Sequence, residues 1–136
     1  MLKCTSPLVV PTNKDGSKVF RLNLNAYRNE HYQTLNKAKI VYKELMTPQI
    51  KALPTFDKLF LHFVLYPGSS REMDLANVAS VTEKFFCDAL VELGKIPDDN
   101  YKYVIGSCIT FGDIDRIAPR MEILFNPTQI ITGVSP

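Results

Sequence analysis

Lys58–Pro67, KLFLHFVLYP, is the stretch on which the fold turns. Apart from Lys58 and His62 it is apolar, and Gly68-Ser69-Ser70 closes it. A short continuous apolar run bounded by turn residues reads as a buried strand rather than an amphipathic helix. A strand without polar alternation is expected in the middle of a sheet with both faces covered. His62, inside this run, reads as a satisfied core residue.

Reading forward, GSSRE (68–72) is a short loop and Asp74–Leu93 reads as a long helix, with Gly94 as its stop. Leu75, Val78, Ala79, Phe85, Phe86, Ala89, Leu90 and Leu93 form its apolar stripe. Asp74, Asn77, Lys84, Asp88 and Glu92 fall on the other side, and Lys84 and Asp88 are spaced to pair. The same pattern describes a solvated helix face with an aspartate cap. KIPDDN (95–100) is a tight loop, in which Asp98 and Asp99 read as turn residues. YKYVIGSCITF (101–111) and RMEILF (120–125) read as two closing strands joined by a polar loop at 112–119.

Reading backward, SPLVVPTNKDGSKVFRLNLN (6–25) predicts two short strands around an Asp15-Gly16 turn. Residues 26–53 read as helical, with Leu35, Ala38, Tyr42 and Leu45 at helix spacing. Pro48 either breaks that helix or starts a further turn. The order β-β-α-β-α-β-β predicts an α+β fold, a mixed β-sheet with two main helices packed on it. We read residues 1–136 as one domain, with 1–18 and 127–136 peripheral. A sheet of this kind is often completed by a second subunit.

The composition fits this reading. A chain of 136 residues with 46% hydrophobic content supports one core. A net charge of +2 does not by itself imply a nucleic-acid partner. Cys4, Cys87 and Cys108 show no metal-ligand spacing, which argues against zinc and against a disulfide framework. Cys87 and Cys108 lie in apolar runs and are expected in the core of a protein from a reducing compartment. No window has the length of a membrane span, so a cytoplasmic location is expected. No glycine-rich phosphate loop appears, which excludes the common nucleotide-cofactor folds. Basic residues gather at Lys14, Lys18 and Arg21, at Arg28, Lys37, Lys39, Lys43 and Lys51, and at Arg71. They suit either phosphate tracking or an ordinary charged surface. Tyr27, Tyr32 and Tyr42 suit either base stacking or core packing.

The separated pieces Asp74-Leu75, Asn77-Val78, Lys84, Asp88-Ala89-Leu90 and Asp98-Asp99 resemble the RusA-type Holliday-junction endonucleases, a phage and prophage family. The strand before them and the Asn25–Arg28 segment also resemble that family, so the likeness runs over about residues 19–125. It implies a homodimer in the cytoplasm (the host's, if phage-encoded) that binds four-way or branched DNA. It implies phosphodiester hydrolysis with Mg²⁺, or Mn²⁺ in its place, in recombination or repair. Asp74 and Asp99 are then metal ligands with Asp98 close by. Lys84 is a catalytic phosphate contact, and Arg28, Lys37, Arg71, Asn77 and Lys84 contact DNA. Carboxylates suit the hard Mg²⁺ ion, which activates water and offsets phosphate charge.

The chain departs from the family pattern in two places. The Asn77–Lys84 stretch is longer by about one helical turn, which keeps the face of Lys84. Ala76 stands where the family has a second metal-site aspartate, and Glu72 is the nearest other acid. Either the site is rearranged, or the chain binds branched DNA without cutting, or an original acid has been replaced. A third class of reading is a structural or regulatory phage protein that binds protein. A further expectation is geometric. A helix of about 20 residues spans roughly 30 Å, so Asp74 and Asp99 meet only if the helix is shorter than the sequence suggests, if the loop folds back, or if the site uses two subunits.

Overall fold

The computed structural model describes residues 2–127. Its elements are β1 Lys3–Ser6, β2 Val9–Pro11, β3 Val19–Arg21, α1 Leu24–Asn29, α2 Tyr32–Lys51, β4 Leu59–Tyr66, α3 Leu75–Glu92, β5 Val104–Phe111 and β6 Arg120–Pro127. Four strands form one sheet in the order β1-β6-β4-β5, and β2 pairs with β3 in a separate hairpin. β4 runs parallel to β5 and antiparallel to β6, while β1 is antiparallel to β6. The fold is therefore α+β with a mixed sheet, as the sequence predicts.

β4 is central, but only one of its faces is covered. Leu59, Leu61, Phe63 and Leu65 are buried, whereas Phe60, His62, Val64 and Tyr66 are half-buried. This corrects the expectation of cover on both faces. The helices pack on one side, and the alternate row forms an open face. His62 lies on that open face and is not a core residue; its Nε2 sits 2.8 Å from Thr110 Oγ1. Cys87 is buried as expected, but Cys108 is exposed. Cys108 shares the register row of His62 on the uncovered side.

The N-terminal segment is also corrected. Lys3–Ser6 is a sheet strand, with Cys4 and Ser6 buried, so residues 1–18 are not all peripheral. Their burial comes from pairing with β6 and contact with α2. Ser6 Oγ lies 2.8 Å from the hydroxyl of the fully buried Tyr42. Gln49 bridges both backbone groups of Thr5, at 2.7 and 2.8 Å. The expectation for 127–136 falls almost wholly outside the described residues.

The first helical stretch divides in two. Asn23 caps α1 by accepting from the Ala26 N–H at 2.8 Å, and His31 Nδ1 caps α2 from Gln33. Pro48 does not end α2. It lies on an exposed face, where the Glu44 carbonyl it leaves free can meet water. The buried row of α2 is Ala38, Tyr42, Met46 and Ile50, while Leu45 is exposed. α3 stops in a Schellman turn at Gly94, whose φ of 77° is left-handed. Lys95 N–H reaches Leu90 O at 2.8 Å and Gly94 N–H reaches Val91 O at 3.0 Å. Lys95 Nζ then donates to Leu53 O at 2.7 Å, tying the ends of α2 and α3 together.

Phe85 is the hub of the aromatic core. It stacks on Phe20 at 5.9 Å and meets Tyr42 at 5.6 Å and Tyr27 at 6.5 Å. Thr82, one turn earlier, is fully buried, and its hydroxyl finds no partner among the described residues. An unsatisfied buried hydroxyl costs on the order of 1–3 kcal/mol. Thr82→Val keeps the shape and removes that cost. It is expected to stabilise the chain by about 1 kcal/mol in urea unfolding, and a lower midpoint would show that the hydroxyl is satisfied.

Candidate functional site

The β4-α3-β5 unit decides where the acids lie. β4 and β5 are parallel, with Leu59 opposite Val104 and Leu65 opposite Phe111. Asp74 follows the carboxyl end of β4, and Asp99 precedes the amino end of β5. The two acids border separate hollows, Asp74 the cleft at the start of α3 and Asp99 a groove beside the middle of α3 with Ser80, Glu83 and Lys84. The loop before β5 brings Asp99 back along α3 as far as the groove lined by Ser80, Glu83 and Lys84. Among the described residues no three His, Cys, Asp or Glu side chains gather as a metal cluster.

Asp74 is the N-cap of α3, and its Oδ1 accepts from the Ala76 N–H at 3.0 Å. The capping role is real, and it employs one carboxylate oxygen. Asp74 also lines a cleft of about 930 Å³ between the β2–β3 hairpin and the β4–α3 loop. Arg21, Asn25, Arg71, Glu72 and Asn77 line the same cleft. Glu72 is thus brought beside Asp74, although it also borders a neighbouring apolar hollow of about 500 Å³. Two carboxylates, with water and phosphate oxygens filling the remaining positions, are a sufficient donor set for Mg²⁺. Arg21 and Arg71 supply the positive charge that a phosphate needs.

Asn77 is partly committed to structure. Its Oδ1 accepts the Leu24 N–H at 2.8 Å, which fixes the start of α1 against α3. Only its amide nitrogen remains for a ligand. Arg28, at the end of α1, and Lys37, on α2, are exposed but lie outside the cleft lining.

Asp98 serves the turn. Its Oδ1 accepts from the Asp99 N–H at 2.7 Å and its Oδ2 from Asn100 Nδ2 at 3.0 Å. Asp99 lines a groove of about 400 Å³ between α3 and β5, with Glu83, Lys84, Cys87 and Ser107. Burial holds the Cys87 thiol far above its usual range, and the charges of Glu83 and Asp99 push it further. Burial likewise raises the Asp88 carboxyl, against the opposing pull of Lys84 and Lys39. Lys84 makes no ion pair among the described residues, and Glu92 pairs instead with Lys43 of α2 at 2.7 Å.

Ala76 occupies the other end of this groove. It lines a small hollow of about 160 Å³ with Ser80, Glu83, Ser107 and Cys108. Position 76 therefore faces β5, whereas Asp74 faces the hairpin. The sequence does not reveal that Arg21 and Asn25 line the same cleft as Asp74. Only the folding of the β2–β3 hairpin over the β4–α3 loop brings them there. The chain matches no protein-family model and no curated protein, so the RusA-type likeness rests on its motif residues alone.

Lys84→Ala is expected to leave stability within about 0.5 kcal/mol, because the side chain is exposed and unpaired. If Lys84 contacts a phosphate in the transition state, the same change lowers cleavage by about 100-fold. A large fall in melting temperature would make Lys84 structural instead.

Proposed function

We propose that the chain is a RusA-type, Mg²⁺-dependent endodeoxyribonuclease acting on four-way or branched DNA, attenuated by alanine at position 76. The observation that supports this most is the shared cleft of Asp74, Glu72, Arg21 and Arg71 at the start of α3. Asp74 and Glu72 would hold the ion, which when bound supplies an activated water and neutralises phosphate charge. Arg71 and Arg21 would seat the phosphodiester on either side. The cap bond from Ala76 fixes the Asp74 rotamer, so its second oxygen is held in place. No helix among the described residues is long and apolar enough to cross a membrane. The free thiols Cys4, Cys87 and Cys108 fit a reducing cytoplasm.

A second reading is a non-catalytic binder of branched DNA with the same fold. It draws support from the lining of separate hollows by Asp74 and Asp99 and from the use of Asp98 in its turn. Incubation with a synthetic four-way junction, with and without Mg²⁺, separates the two. Symmetrical nicks that require Mg²⁺ support the nuclease. Junction binding without nicks, from both this chain and Ala76→Asp, supports the binder. No preference for the junction over duplex at physiological salt removes both.

A further inference from the structure

The loop between β4 and α3 lines two hollows. One is the cleft of Asp74. The other is the apolar hollow of about 500 Å³, which the loop forms with the end of β5 and the residues after it. Met73, Leu75, Phe111 and Ile114 make most of its wall. Met73, Phe111 and Ile114 are 43%, 52% and 37% exposed, so three large apolar side chains share one small area of surface. Apolar groups gathered in this way mark a binding surface, whereas single exposed ones do not. Hollows that take small planar ligands are of about this size, with a few polar groups among apolar walls.

The fold holds this hollow in shape. The Gly112 N–H donates to Leu65 O and the Asp115 N–H to Pro67 O, each at 2.8 Å, which pins the loop after β5 to the end of β4. A Cβ at Gly112 would lie 2.6 Å from the Tyr66 ring, so the chain passes there only as glycine. The Arg120 guanidinium lies over the same ring at 4.1 Å and donates to Asp115 at 2.8 Å. Phe111 and Ile114 flank these anchors, so an occupant meets a wall already in place and does not have to order it.

We propose that this hollow holds one unstacked nucleobase of a branched DNA strand whose adjoining phosphate lies in the cleft against Arg71 and Arg21; the inference rests on the proposed action on branched DNA. Arg71 selects the occupant. It lines both hollows and forms no ion pair among the described residues. A ligand that fills both hollows is planar and apolar in one part and anionic in the next, which is the chemistry of a nucleotide. An apolar peptide would fill the hollow and leave the two arginines of the cleft without an anion. Bases inside a duplex stay stacked, and a base that is already poorly paired leaves the stack at least cost. Occupancy of the hollow therefore favours a branch point over continuous duplex.

The probe is a synthetic four-way junction with 2-aminopurine at each branch-point position in turn, titrated in EDTA so that no strand is cut. The unaltered chain is expected to raise the fluorescence several-fold at one position, because the base leaves its stacked neighbours, and to leave a labelled duplex unchanged. Phe111→Ser with Ile114→Ser is expected to remove the rise and to weaken junction binding by about tenfold, the worth of one stacked base. Duplex binding and the melting curve are expected to stay the same, because both side chains are exposed. Phe111→Trp keeps an aromatic wall and is expected to bind the junction as tightly as the unaltered chain. Junction binding with no fluorescence change at any position would overturn the proposal and leave the action on branched DNA standing. Junction affinity untouched by the double substitution would overturn it as well and assign the hollow to another occupant, such as an apolar peptide. No binding to the junction would overturn both readings. A rise that the double substitution removes, from a chain that makes no nicks when Mg²⁺ is added, would retain the base hollow and reject the nuclease.

Discussion

Ala76→Asp is expected to raise Mg²⁺-dependent cutting of a four-way junction by about 100-fold, equivalent to nearly 3 kcal/mol of barrier. Position 76 is exposed in the first turn of α3, so a carboxylate there incurs little desolvation and meets the favourable end of the helix dipole. The Asp74 cap accepts from the backbone N–H of residue 76, which the substitution keeps. Position 76 points into the hollow with Ser80 and Glu83, on the β5 side of the start of α3 and two residues from Asp74. The change therefore places a hard carboxylate beside Glu83, next to the helix start that Asp74 caps, without disturbing packing. Initial rates of nicking on a labelled junction measure the effect. Unchanged rates would mean that position 76 does not belong to the reacting centre.

The largest effect on stability is expected at Phe85. Its ring is 2% exposed and touches Phe20 of β3, Tyr27 of α1 and Tyr42 of α2. It is the point at which the hairpin and both N-terminal helices attach to α3. Truncating a buried phenylalanine costs about 3–5 kcal/mol in lost transfer energy and cavity formation. Phe85→Ala is expected to lose that much in urea unfolding, and the cleft goes with it, because Arg21 and Asn25 are held by the same elements. Phe85→Leu keeps most of the volume and should recover more than half of the loss. A loss below about 1 kcal/mol for Phe85→Ala would show that the hairpin docks by other contacts.

Much of the fold is legible in the sequence because hydrophobic periodicity is a local property. β4, α3, the Gly94 stop and the Asp15-Gly16 turn all follow from residues close in the chain. What is not legible is which face of an element meets another element. His62 and Cys108 sit in apolar runs, yet both lie on the uncovered side of the sheet, and only the one-sided packing of the helices decides that. The buried row of α2 shifts from Leu45 to Met46 for the same reason, since α2 packs against α3 and β1. Thr82 and Cys87 of α3 lie in the core beside the expected stripe.

The candidate site divides along the same line. The capping role of Asp74 and the turn role of Asp98 could be read from local spacing. The Arg21–Asp74 proximity could not, because it joins two elements more than 50 residues apart. The separation of Asp74 from Asp99 was legible as a geometric difficulty from helix length alone. In the structure the two acids line separate hollows, Asp74 at the start of α3 and Asp99 beside its middle.

If Asp74 holds a hard divalent ion in its cleft, Mn²⁺ binding followed by water-proton relaxation detects it. The comparison is with Asp74→Asn, because asparagine caps a helix as well as aspartate does and so keeps the fold. Mn²⁺ is expected to bind the unaltered chain and to lose about tenfold or more in affinity for the variant, with unchanged melting. Equal Mn²⁺ binding by both chains, or none by either, would contradict it.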